Sequence, residues 1–285
     1  SEQNQQAPSE EGPSVVEAEW QPYGKRYAII VMSDGANSDE YFWPVTKSMY
    51  GYLREMGFGE ENIRFLAPEK YAADYPETVF AEASEANVEQ AYEWAGAVCT
   101  SEDLLYVFWI SHGTESDFTT AGDSVKHSTL AGWMEDITAR RIIGVYQPGL
   151  SGAVVDDISG EGVITTTSTD AAVGNNWPWA ENMAFALAGV GHCDEWMNEN
   201  HEMEPAKYVA DQDDDGQVSV TEAYIWVAKH RYTEGSTFDD NGDGVGGQWG
   251  TDTLDPNDPG KDGYIGEHFS LRGWRHIGEA RVTSG

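Results

Sequence analysis

The sequence predicts an α/β fold, a three-layer α/β/α sandwich around a mostly parallel central sheet. Three observations carry that expectation. Continuous apolar runs of strand length alternate with longer stretches whose apolar residues recur at three and four. The runs stop in Gly, Ser or Asp turns. Finally, 285 residues with 40% hydrophobic side chains can bury a real core, which argues against a wholly disordered chain.

Residues 1–19 hold Glu, Gln, Ser and Pro with almost no large apolar side chain, and are expected to be a disordered leader to a folded domain at 20–285. The first ordered strand is expected at 26–32, an apolar run stopped by Ser33-Asp34-Gly35. A helix follows over 40–56, closed by Gly57, and a short strand over 62–66. The alternation then repeats as helix 87–99, strand 104–110, helix 129–139, strands 142–146 and 162–167, and helix 177–189. In such sheets, functional groups gather in loops beyond the carboxyl ends of the strands, here from Ser33, Ser111 and Gln147 onward.

Fifty Asp and Glu against sixteen Lys and Arg leave a formal net charge of -34. That field repels phosphate backbones, so nucleic acid is excluded as a partner, and it attracts cations. Self-repulsion of this size calls for bound divalent metal, high external salt, or both. Two cysteines, Cys99 and Cys193, are too few for a disulfide framework, and whether they pair stays open. No stretch approaches the length of a transmembrane helix. The first residue is Ser, so a signal segment is expected to have been removed or left out, which points to an extracellular, periplasmic or surface-tethered location.

The strand at 104–110 runs into Ser111-His112-Gly113, an imidazole at the sheet edge beside a glycine that permits close approach. The strand at 142–146 runs into Gln147-Pro148-Gly149-Leu150-Ser151-Gly152, a second glycine-rich turn. In this order and separation the two segments resemble the caspase-haemoglobinase fold, most closely the legumain-like cysteine peptidases. That family has one strand ending in Ser/Asp-His-Gly and a later one ending in Ala-Cys-x-Ser-Gly. His112-Gly113 matches the first and Ser151-Gly152 the end of the second, while Gly149 falls on the nucleophilic cysteine. The similarity covers roughly 25–275, including a substrate-side strand at 164–169 with Thr167 and Ser168.

The resemblance implies a Cys-His dyad acting on a peptide or protein substrate, with His112 as proton donor. Gly149 carries no nucleophile, and neither Ser151, beyond the turn, nor Cys193, after a helix, is placed to substitute. As written the chain forms no acyl-enzyme: either it was inactivated by substitution or it is a natural pseudopeptidase. The alternative class is a non-catalytic, calcium-dependent peptide- or protein-binding module on the same fold. Asp34 stands where the family has an asparagine near its histidine, and either orients His112 or caps the next helix. Glu40 lies near a basic pocket residue of the family and Gln147 replaces an acidic one, so the family's preference for asparagine does not transfer. An acidic pocket there would favour a basic P1 residue, but the preferred reading of Glu40 is an exposed first-turn helix residue.

The segment from Asp211 to Glu222 fits the EF-hand loop at every ligand position. Asp211, Asp213 and Asp215 occupy positions one, three and five, Gly216 the sharp turn at six, Gln217 offers its carbonyl, Ser219 sits at nine and Glu222 closes at twelve. The exiting helix is expected over 219–230, with the calcium loop embedded in the domain. Asp239, Asn241, Asp243 and Gly244 repeat the first half of the pattern, but Gly250 stands where the closing Glu belongs. Asp252 or Asp255 is expected to complete that shell, and Asp258, Asp262 and Glu267 read as a solvated loop.

Overall fold

The computed structural model describes residues 15–16, 19–33, 38–170, 178–189, 210–230, 235–277 and 281–282. After β1 (Val15–Val16) come β2 (Arg26–Met32), α1 (Trp43–Glu55), β3 (Ile63–Ala67), α2 (Glu69–Asp74), β4 (Ala81–Glu82) and α3 (Glu85–Val98). The middle of the chain holds β5 (Leu104–Ile110), β6 (Asp117–Thr119), β7 (Ser124–Lys126), α4 (His127–Glu135), β8 (Arg141–Tyr146) and α5 (Val154–Ile158). It ends in β9 (Val163–Thr167), α6 (Pro178–Ala188), α7 (Val220–His230), β10 (Thr237–Asp239) and β11 (Arg281–Val282).

Seven strands form the central sheet in the order β10-β9-β8-β5-β2-β3-β4. Every pairing is parallel except β10 on β9. All seven residues of β5 are fully buried, as a strand covered on both faces requires. Alternate residues serve opposite faces. Ala28, Ile30, Tyr106, Phe108 and Ile143 pack with Met49 and Leu53 of α1, Met183 of α6 and Val227 of α7. Ile29, Val31, Leu105, Val107 and Ile142 pack with Val88 and Ala91 of α3, Leu130 of α4 and Ile158 of α5. Each fully buried Leu, Ile or Phe contributes about 1.5–3 kcal/mol, so these two clusters dominate the fold. No helix among the described residues is long and apolar enough to cross a membrane.

The expected long elements are present within a few residues of their anticipated ends. α3 starts at its N-cap Ser84, which accepts the Asn87 N–H at 3.4 Å. Helix α1 is preceded by a π-helical turn, Ser38–Phe42, that includes Glu40. The elements that periodicity does not announce are short: α2, β4, the β6–β7 hairpin, α5 and β10. Two to six residues are too few to display a period. Val15–Val16, inside the expected leader, pairs antiparallel with β11, and a Gln21 to Trp274 bridge ties the start of the domain to its end.

Candidate functional site

The carboxyl ends of β2, β5, β8 and β9 form one rim, because these strands are consecutive parallel neighbours in the sheet. Strand β5 delivers Ser111, His112 and Gly113. The His112 carbonyl accepts the Thr119 N–H at 2.9 Å and the Ser111 hydroxyl at 2.7 Å, which pins this loop to the β6–β7 hairpin. The Thr119 hydroxyl lies 3.1 Å from that of Ser33 at the end of β2. The imidazole of His112 packs 5.5 Å from the Phe42 ring, so the turn bearing Glu40 borders this loop; Glu40 itself is exposed. Asp34 and Cys193 lie outside the described residues, whereas Cys99 is a buried free thiol whose pKa burial pushes up to about 12.

Strand β8 delivers the second turn against the first. A Cβ at Gly113 would stand 2.8 Å from Pro148 Cβ and 3.0 Å from the Gly149 carbonyl oxygen, so only glycine allows the two loops to meet. Gly149 is itself buried, and the residue after it, Leu150, carries the turn's positive φ of 61°. That left-handed backbone is unfavourable for a γ-branched side chain and persists only where surrounding contacts enforce it. The contacts are evident: Ser151 N–H reaches Pro148 O and Thr169 Oγ1, both at 3.0 Å, and a Cβ at Gly152 would collide with Asp170 Cα at 2.5 Å.

This clamp corrects three expectations. Gln147 does not line a cleft; it is 1% exposed and its Oε1 accepts the Ala180 N–H at 2.9 Å in the first turn of α6. Thr167 and Ser168 are fully buried rather than offered to a substrate. The Thr167 hydroxyl donates to Thr169 O at 2.8 Å and that of Ser168 to Gln147 O at 2.7 Å, because β10 covers the outer edge of β9 and the 147–153 turn covers its end. Ser151, already read as out of place for a substitute nucleophile, is buried beside the Ser168 and Thr169 hydroxyls, at 3.4 and 3.3 Å.

The acidic loops lie around α7 and β10. Asp211, Asp213 and Asp215 bring one carboxylate oxygen each within 4.8 Å of one another, a spacing that could hold a metal ion. Gly216 at φ 85° makes the turn and donates its N–H to Asp211 Oδ2 at 3.0 Å, while Asp215 Oδ1 accepts the Gln217 N–H at 2.8 Å. Glu222, in the first turn of α7, folds back: Oε1 accepts the Gln212 N–H at 2.7 Å and Oε2 the Ser219 N–H at 2.8 Å. Burial, with Asp213 nearby, raises the Glu222 pKa; burial and the neighbouring carboxylates of Asp215 and Asp211 raise that of Asp213. Such crowding favours a cation.

Two residues that sequence reasoning missed, Arg275 and Trp20, complete this region together with Glu267, which reads in the sequence as part of a solvated loop and is instead drawn in. Arg275 Nη1 stands 3.0 Å from Asp215 and 3.8 Å from Asp213, and Trp20 Nε1 donates to Asp215 at 2.6 Å. The Ser219 hydroxyl donates to Glu267, whose pKa burial and the Glu222 charge push up to about 7. Trp20 and Arg275 sit too far from the loop in sequence to signal themselves.

The second loop, Asp239, Asn241 and Asp243, makes the same turn, but its shell differs from expectation. Asp255 Oδ1 caps its own turn by accepting the Asn257 N–H at 2.9 Å, and Asp252 is exposed. Asp156 of α5 borders this loop, its Oδ1 3.3 Å from where a Cβ at Gly244 would lie, and Ser159, just after α5, donates its hydroxyl to Asp239. The expected solvated loop is also corrected, since Asp262 is 3% exposed. It accepts the Gly247 N–H at 2.7 Å, and burial with the charges of Asp240 and Asp239 pushes its pKa up to about 8.

No protein-family model matches the chain, and no curated protein is similar enough to count as a relative.

Proposed function

We propose that the chain is a calcium-binding scaffold of the legumain-like, caspase-haemoglobinase type, three layers deep, with Gly149 at the nucleophile position and His112 in the adjoining loop. The observation that carries this reading is the meeting of the Gly113 and Gly149 backbones at the ends of neighbouring strands β5 and β8. A thiol at 149 would belong to the loop that meets the His112 loop, which is the proximity that a Cys-His dyad starts from. Calcium is proposed at Asp211, Asp213, Asp215, the Gln217 carbonyl and Glu222, whose oxygen donors suit a hard cation. When bound, the ion neutralises like charge that now crowds these carboxylates. The repeated half-loop of Asp239, Asn241 and Asp243 is a candidate for a further ion. The reading carries with it a location outside the cytoplasm, where calcium is plentiful.

Because Gly149 has no side chain and Ser151 is buried, a second reading stands beside the first: a non-catalytic module that holds a peptide or protein segment on the same rim. Gly149→Cys separates them. The backbone at 149 does not carry the positive φ of this turn, so cysteine meets no left-handed strain there. The variant, once shown to fold by its melting curve, is expected to be labelled by a peptide-based electrophile and to cleave members of a diverse peptide library. His112→Ala in that background is expected to lower cleavage by about two orders of magnitude or more. A folded Gly149→Cys protein that neither labels nor cleaves would remove the peptidase reading and leave the binding module.

A further inference from the structure

The amino-terminal end of the sheet is the pole opposite the rim, about 20 Å away along the seven residues of β2. A cavity of about 390 Å³ opens there, lined by Lys25, Arg26 and Arg272 with one acid, Glu61, and by the small residues Gly57 and Gly59. The chain as a whole carries 50 acids to 16 bases, about three acids for each base. This lining inverts the ratio, with three bases to one acid.

The two guanidiniums are held by backbone rather than by carboxylates. Arg26 Nη1 donates to Leu271 O at 3.2 Å, and Arg272 Nη2 donates to Ala188 O at 3.2 Å. Neither forms an ion pair among the described residues, in a molecule where carboxylates are the most available partner. Burial, followed by the like charge of Arg272, holds Arg26 below the usual arginine range. Two cations brought together at such a cost, each with donors to spare, form a fork that an oxyanion would satisfy on two sides. Lys25 adds an exposed charge to the lining, and the cavity volume is ample for a small organic anion.

We infer that this pocket binds a small, doubly charged oxyanion, a phosphate ester or a dicarboxylate, clasped between Arg26 and Arg272. The site lies at the pole opposite the rim, and its 270–273 turn meets the first acidic loop through Ser270, whose hydroxyl accepts the Arg272 N–H at 3.1 Å and reaches Gln217 Oε1 at 3.5 Å. An anion there offsets the repulsion between the two arginines and links the start of β2 to the 270–273 turn, so it stabilises the fold.

The test is a thermal melt of the full chain at fixed low calcium and fixed ionic strength, with sodium sulfate in one arm, sodium succinate in the other and sodium chloride as baseline. A saturable rise in melting temperature above chloride is expected in at least one arm. A rise with sulfate alone assigns the phosphate class, a rise with succinate alone the dicarboxylate class, and a rise with both a site that accepts either. Arg272→Gln, at an exposed position that tolerates change, is expected to weaken the binding about tenfold or more. Arg26→Lys keeps the charge but loses the fork and is expected to weaken it as well. Any calcium drawn off by the anion affects wild type and variants alike, so the difference between them reports the pocket. No rise beyond chloride in either arm, or an equal rise in Arg272→Gln, would overturn the inference.

Discussion

The two acidic loops make one turn in two different settings. In each, the first Asp accepts the N–H of the sixth-position glycine, Asp211 from Gly216 at 3.0 Å and Asp239 from Gly244 at 3.1 Å. In each, the fifth-position Asp accepts the next N–H but one, from Gln217 and from Val245, at 2.8 Å. Positions four and six are left-handed in both, Asp214 at 59° and Gly216 at 85°, Gly242 at 77° and Gly244 at 79°. The two loops part company after the turn. The first runs into α7, whose Glu222 folds back over it, and Arg275 balances part of its charge. The second leaves the end of β10 and reaches position twelve at Gly250, with Asp239 tied to Ser159 and Asp240 buried instead. A short acidic motif therefore dictates its own turn, whereas closure of a shell depends on the element that the chain enters next.

The largest effect expected from this difference is the dependence of the first loop on metal. Removing calcium with a chelator is expected to lower the melting temperature by about 5–10 °C, the equivalent of about 2.7 kcal/mol for an ion at a hundred times its Kd. Glu222→Gln keeps an acceptor for one of the two backbone N–H groups, of Gln212 and Ser219, but loses the second and the bidentate carboxylate, and is expected to lower the melting temperature at least as far as the chelator does and to abolish any further response to it. A melting curve that ignores both changes would reduce the first loop to the rank of the second.

A smaller effect, of opposite pH sign to ordinary acid denaturation, is expected from the neighbourhood of the second loop. The Asp262 pKa rises on folding from 3.8 to about 8, so the folded metal-free protein holds an extra proton between those values. Its contribution is therefore full below the unfolded pKa and is lost as pH rises through the folded one. Metal-free protein is expected to gain stability on acidification from about pH 8 toward pH 5, measured by urea midpoints, with Glu267 at about 7 contributing in the same direction. Asp262→Asn is expected to flatten the upper part of that profile and to exceed wild type at pH 8. An unchanged slope in the variant would show that Asp262 is not the group responsible.

The smallest expected effect isolates the turn itself. Position four is Asp214 in the first loop and Gly242 in the second, at nearly the same positive φ. Asp214→Gly removes the side-chain strain of the left-handed conformation and adds chain entropy to the unfolded state, two terms of about 1 kcal/mol that oppose each other. The metal-free stability is thus expected to change by less than about 1 kcal/mol, with chelator response retained. A collapse of calcium response would mean that Asp214 does more than turn the chain.

Much of this arrangement is legible in the order of residues, and the legible part is local. The fully apolar run of β5 requires a covered strand, the spacing of apolar side chains requires α1 and α3, and Asp-x-Asp-x-Asp-Gly requires its turn, because each rests on backbone geometry within a few residues. The rest depended on contacts between distant parts of the chain. Gln147 is turned into the end of α6, 33 residues on, although its sequence neighbours border the rim. Glu267 and Arg275 reach the first acidic loop from 48 and 60 residues beyond Ser219 and Asp215, and Asp262, which reads as a loop acid, is buried by the backbone of Gly247 and Asp240. Arg26 and Arg272 share a pocket only because β2 and the 270–273 turn meet at one end of the sheet. Periodicity and turn chemistry act within a few residues, while burial, ion pairing and pKa are set by whichever surfaces the packed sheet and helices bring together.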